Sequence, residues 1–339
     1  MHRTSMAHSG ARTVGVGAGL ICLSPASGAP IRRQAPAVVE YPLPRAGAFP
    51  HDPAVGPDGA VWYTDQRNSY IGRLDPTTGK VVDFATPTPA SGPHGIVVAP
   101  DGTVWYTGNA KGNIGRLDPK TGAIKEYALP PEVRDPHTPV VLGGKVWFTA
   151  QGSNLYGVLD PATGAVRTYP ISTARAKPYG LVAAKDGSLW VAMLGTNAIG
   201  RIDPTDGTMR EFPLPDPGAR PRRLVVDGEG IVWYSDFARG YLGRLDPATG
   251  QVREFASPGG SGSGPYGIAL GTDGHVWYDE AGKNEVVAFD PETGHMETVA
   301  IPTPGAIVRN MSVDSSRNRL WLALSGTQRL GQLDLGRPR

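Results

Sequence analysis

The sequence predicts an all-β protein, a seven-bladed β-propeller with four antiparallel strands in each blade. Three observations carry that prediction. All seven tryptophans, Trp62, Trp105, Trp147, Trp190, Trp233, Trp277 and Trp321, recur 43, 42, 43, 43, 44 and 44 residues apart. An aspartate that begins a turn recurs in the same register at Asp75, Asp118, Asp160, Asp203, Asp246, Asp290 and Asp334. In the first six copies Pro follows that aspartate directly and Gly stands three residues further on. Glycine (46) and proline (33) are spread along all 339 residues, which suits many short strands joined by tight turns.

The chain opens with an export signal. Arg3 and Arg12 precede the apolar or small run 13–23, and Ser27-Gly28-Ala29 offers a cleavage point after Ala29. Residues 1–29 are therefore expected to be removed, 30–37 to link, 38–335 to form the propeller and 336–339 to be a tail. The run is too short to span a bilayer.

Each copy then parses into four strands. In the second copy these are 95–99, 103–107, 113–117 and 123–127, with Pro100-Asp101-Gly102 and Asp118-Pro119-Lys120-Thr121-Gly122 as turns. No interval sustains a 3.6-residue apolar period, so helix should be nearly absent. A lone four-stranded sheet leaves both faces wet, and stacking in a ring buries them. The last copy lacks a fourth strand, whereas Val38-Val39-Glu40-Tyr41 matches the fourth-strand pattern of Glu126-Tyr127 and Glu211-Phe212. The N-terminal strand should complete the last blade. The recurring tryptophans are expected to wedge between blades.

Charge and thiol content narrow the partners. Loss of the leader removes two arginines and no acid, leaving 31 residues of each sign and a formal net charge of zero. Such a chain has no general electrostatic reason to seek nucleic acid or anionic lipid. The single cysteine, Cys22, lies inside the leader, so the mature chain holds no thiol. A periplasmic or secreted monomer is expected, with no membrane attachment after processing and a small molecule or cyclic peptide as its partner.

Function is sought at positions that repeat in geometry and vary in residue. The residue that opens the first strand of each copy reads His51, His94, His137, Tyr179, Arg222, Tyr266 and Asn310. These should ring one mouth of the central channel and bind the substrate. A second variable position, four residues after each tryptophan, reads Gln66, Asn109, Gln151, Leu194, Phe237, Ala281 and Ser325. The up-down strand order puts both sets on one face. Asp135, His137 and Gln151 should converge there with His94, able to hold a metal or to orient an imidazole as a general base. Hydration of the channel is the plain alternative. Asp65, Asp236 and Glu280, three residues after their tryptophans, either cap loops or extend the site.

Segments such as Glu211-Phe212-Pro213-Leu214-Pro215, Pro93-His94-Gly95-Ile96 and Asn113-Ile114-Gly115-Arg116-Leu117 resemble the virginiamycin B lyase (streptogramin B lyase) family over residues 38–335. That family opens a cyclic depsipeptide antibiotic by elimination. The resemblance implies His137 as the catalytic base, His94 as a substrate-orienting residue, and Asp135 with Gln151 where two acids of the family hold Mg2+. Tyr179 opens the next blade as a tyrosine does in the family. Gln151 is neutral and Asp135 is one methylene shorter than the family's glutamate, which weakens the electrostatic hold on a cation. Two other readings stand beside this one. The first is a non-catalytic propeller binding a small ligand or peptide at the channel mouth. The second is a gluconolactonase-type hydrolase, for which only Asp135 and Asn310 offer ligands.

Overall fold

The structure, a computed structural model, describes residues 37–336. The expected leader at 1–29, the linker as far as residue 36 and residues 337–339 lie outside that range. The described residues form 28 strands, β1 to β28 in chain order, in seven antiparallel sheets of four. The strands that open blades I to VII are β2 (Pro50–Val55), β6 (Pro93–Val98), β10 (Pro136–Leu142), β14 (Pro178–Ala183), β18 (Pro221–Val226), β22 (Pro265–Leu270) and β26 (Val308–Asp314). They contact one another in a closed cycle, with β26 returning to β2, and so line the central channel. Apart from strands there are only three short 3-10 turns among the described residues, and none of their helices is long and apolar enough to cross a membrane.

The ring closes as the sequence suggests. β1 (Val38–Pro42) pairs antiparallel with β28 (Arg329–Asp334), from Val38 opposite Leu333 to Pro42 opposite Arg329. The first and last strands of the propeller thus share one sheet.

Every tryptophan is buried against the following blade. Trp62 packs with Ile96, Val104 and Tyr106 of blade II, and Trp105 with Val146 and Phe148 of blade III. The pattern runs round to Trp321, which packs on Val61 and Tyr63 of blade I. Burying a large aromatic side chain at each interface stabilises the ring.

A polar strap accompanies the apolar wedge. Thr107 Oγ1 accepts the Gly95 N–H of its own blade at 3.0 Å and donates to the His137 carbonyl of the next at 2.8 Å. Thr64 does the same towards His94, Thr149 towards Tyr179 and Ser235 towards Tyr266, each donating at 2.8 Å. In blade VI the place is taken by Asp279, which accepts the Gly267 N–H and is fully buried. Burial pushes its carboxyl well above the ordinary range.

Each opening strand carries a bulge directly after its first residue. Pro50 pairs with Asp65, yet Pro53 pairs with Tyr63, so three residues advance on one strand against two on its partner. The same shift recurs between Pro93 and Ile96, Pro136 and Pro139, Pro178 and Leu181, Pro221 and Leu224, Pro265 and Ile268, and Val308 and Met311. A bulge re-aims side chains by breaking the strict alternation of faces. Residues in its span turn towards the channel, and the straps above hold it in place.

Thr107→Val tests the strap. The change leaves the His137 carbonyl and the Gly95 N–H without their partner, and urea denaturation should show a loss of about 1–3 kcal/mol.

Candidate functional site

The mouth of the channel is a cavity of about 400 Å3. One half of its wall is an arc of imidazoles from the opening strands of blades I to III, continued by a phenol from blade IV. His94 lies between His51 and His137, with ring centroids 3.8 and 3.7 Å away, and His137 meets Tyr179 at 3.7 Å. The three histidines are buried. Burial pushes His94 and His137 well below the usual imidazole value of 6.5, and the charges of Arg222 and Arg223 add to the effect. Burial lowers His51 too, against the opposing pull of Asp52. At neutral pH all three rings are uncharged. His137 Nδ1 lies 3.1 Å from Thr138 Oγ1, whereas His94 Nδ1 is buried with no hydrogen-bond partner.

The opposite half of the wall alternates arginine and aromatic side chains. In order they are Arg67, Phe49, Arg309, Tyr266 and Arg222, with Phe237 beyond Arg222 outside the cavity lining. Arg67 sits 4.0 Å over the Phe49 ring, and Arg309 lies 5.7 Å from both Phe49 and Tyr266. Arg222 is 3.8 Å over Tyr266 and 4.3 Å over Phe237. Its Nη2 also donates to Tyr179 Oη at 3.2 Å. Tyr179 and Tyr266 hydrogen-bond through their hydroxyls, which joins the two halves. Burial and the Tyr266 phenol push the Tyr179 hydroxyl far up, so it stays protonated.

A buried ion pair crosses the channel below this mouth. Asp52 Oδ1 of blade I accepts from Arg223 Nη2 of blade V at 2.7 Å and lies 2.9 Å from His51 Nδ1. Burial alone would raise Asp52, but the Arg223 charge and the His51 hydrogen bond hold it below the carboxylate range. The pair fixes the His51 ring, with Nδ1 as donor. Asp52 and Arg223 also line a second cavity of about 450 Å3 inside the ring, together with apolar residues such as Val55, Leu181 and Met311.

Asp135 stands on the rim of the mouth in the left-handed region, at φ 58°. Its carboxylate accepts from Asn109 Nδ2, and burial raises it above the ordinary range in spite of that hydrogen bond. Gln151 begins a 3-10 turn, and its N–H donates to the Asp135 carbonyl at 3.0 Å. Both side chains line the same cavity as His137 and His94.

Of the residues singled out in the sequence, His51, His94, His137, Tyr179, Arg222 and Tyr266 line this mouth. Asn310 does not. In β26 the residue that matches His51 is Arg309, because Val308 pairs with Leu324 as Pro50 pairs with Asp65. Asn310 falls one place further on, in the position of Asp52 and Arg223, and lines the lower cavity. The register slips because blade VII lacks the proline that marks the other six. Asp65, Asp236 and Glu280 cap loops: each accepts a backbone N–H, from Phe49, Arg220 and Gly259 respectively.

Asp52, Arg223, Arg309 and Phe49 were not foreseen. A signal for two of them was present, since the place after the ring position reads Asp52, Gly95, Thr138, Gly180, Arg223, Gly267 and Asn310, with one charge of each sign among small or polar residues.

The model of the virginiamycin B lyase family matches residues 31–194 and 165–337. The chain belongs to that family. A streptogramin B lyase structure is 26% identical, with 88% of this chain and 97% of that one covered at a TM-score of 0.81. A selenomethionine-substituted virginiamycin B lyase from Staphylococcus aureus is 27% identical, with coverage of 88% and 99% and a TM-score of 0.82. A catalytically inactive His-to-Ala variant of the enzyme from the same organism, with quinupristin, matches at 26% identity, 88% and 99% coverage and a TM-score of 0.82. Among curated protein sequences none matches significantly.

The depressed imidazoles make this family member acid-sensitive. The unfolded chain takes up protons near 6.5, before the buried His94 and His137 do. Stability from these rings is complete above that value and is lost as pH falls towards the lower folded values. Thermal melts at about pH 7.5 and about pH 5.5 should differ by at least about 2 °C, and His94→Gln should narrow the gap.

Proposed function

We propose that the mouth is the active site of an exported lyase-like enzyme that opens an ester in a cyclic depsipeptide or related lactone by elimination. The observation that carries this reading is His137, a buried and neutral imidazole on a cavity wall beside Asp135 and Gln151, in a chain of the virginiamycin B lyase family. A neutral imidazole is the form able to act as a base. With Nδ1 engaged at Thr138, Nε2 is the nitrogen left to accept the α-proton of the residue whose β-carbon bears the ester oxygen. The electron pair released becomes the Cα–Cβ double bond, the Cβ–O bond breaks, and the ester leaves as a carboxylate. His94 and Tyr179, packed at a tilt on either side, hold the His137 ring in place.

The Mg2+ implied by the resemblance fits this donor set poorly. Asp135 is the single carboxylate lining the mouth, it is engaged by Asn109, and Gln151 adds only a neutral amide. Asp52, His51 and His94 bring ligand atoms within 4.8 Å of one another, but Arg223 already neutralises Asp52.

His137→Ala should lower ring opening of a streptogramin B by about 10²–10⁴-fold, read as loss of the linear product by mass spectrometry. Unchanged turnover would remove the reading.

The neutral Gln151 favours a second reading, a non-catalytic binder. Gln151→Glu separates the two. A gain of about tenfold or more in turnover with added Mg2+ supports the enzyme, and absence of turnover in both parent and variant supports the binder.

A further inference from the structure

The charge lining the mouth points to the class of molecule it takes. Arg67, Arg222 and Arg309 all face this cavity, and Asp135 is the only acid on its wall. No described acid forms an ion pair with any of the three arginines. Two of them are also short of hydrogen bonds, since the Nε atoms of Arg222 and Arg309 are buried without partners. Burial raises the carboxyl of Asp279, which feels the charge of Arg222, well above the ordinary carboxylate range. Asp52 is consumed by Arg223.

A third cavity of about 530 Å3 adjoins the mouth over blades III to V and shares Gln151 and Leu194 with it. Arg175, Lys177 and Arg220 line it, with no acid. Unpaired guanidinium groups in a concave, partly desolvated wall attract an anion far more than they would in water. Phe237, 37% accessible and 4.3 Å from Arg222, adds exposed apolar surface beside the charges.

We propose that the mouth is a receptor for an organic carboxylate. Arg222 and Arg309, on either side of Tyr266 in the ladder, take the carboxylate through charge-assisted hydrogen bonds, and the apolar body of the ligand lies on the exposed ring of Phe237 beside Arg222. The proposal rests on the reading of the mouth as the ligand site and deepens it, because ester elimination itself leaves a carboxylate. It does not depend on turnover.

The test is calorimetric titration of the chain at low ionic strength and about pH 7.5 with benzoate, its neutral isostere benzamide, and inorganic phosphate. Benzoate should bind at least about tenfold more tightly than benzamide, a difference of about 1.4 kcal/mol. Its affinity should fall as sodium chloride is added. Arg222→Gln with Arg309→Gln should lower benzoate affinity by at least about tenfold, with the benzamide value unmoved. Should the double variant fail to fold, Arg222→Lys should give a smaller loss, since it keeps the charge and gives up the planar fork.

No binding of benzoate, equal binding of benzamide, or tighter binding of inorganic phosphate would each overturn the carboxylate receptor. None of these results bears on the loss of turnover in His137→Ala, so the two ideas fail separately.

Discussion

A four-stranded blade has two apolar faces and cannot bury either by itself. The contact of each tryptophan with the following blade is the constraint on which the rest of this protein depends. It holds only if the ring closes, and β1 beside β28 closes it. The hydroxyl straps from Thr64, Thr107, Thr149 and Ser235 run through the same interfaces. They tie the second strand of one blade to the carbonyl of His94, His137, Tyr179 or Tyr266 in the next. Packing that stabilises the ring is thus the same packing that positions the mouth.

The bulge in each opening strand converts that scaffold into a site. Strict alternation would send successive residues to opposite faces, yet His51 lines the mouth while Asp52 reaches across to Arg223. Two neighbouring residues therefore serve two levels of one channel. The upper level is a mouth with uncharged imidazoles on one side and arginines on the other. The lower level is a separate cavity with the buried Asp52–Arg223 pair on its wall. Charge is distributed unevenly between these levels. Acid and base are matched at that pair, and base is in excess at the rim.

That excess bears on the chemistry of the family. A cation site wants several hard oxygen donors, and this rim supplies Asp135 in the company of Arg67, Arg222 and Arg309. The same arginines suit a carboxylate, whether it arrives as a ligand or forms when an ester leaves. His137 keeps its neutral form in this setting because the neighbouring positive charges, together with burial, oppose its protonation.

Much of this was legible in the residues. The tryptophan period, the Asp-Pro turns and the stray strand at Val38-Val39-Glu40-Tyr41 specify blades, their number and their closure, because local patterns repeated seven times leave few alternatives. Six of the seven mouth residues also follow from the repeat, each marked by the proline ahead of it. The seventh was displaced from Arg309 to Asn310 because Val308 replaces that proline. Period and punctuation are properties of neighbours in the chain, so sequence determines them. Partnerships across the ring are not: Asp52 with Arg223 and Tyr179 with Tyr266 join residues from blades that are not adjacent. Only closure of the ring brings them within hydrogen-bond reach, and only then does it emerge which charges are spent and which remain for a ligand.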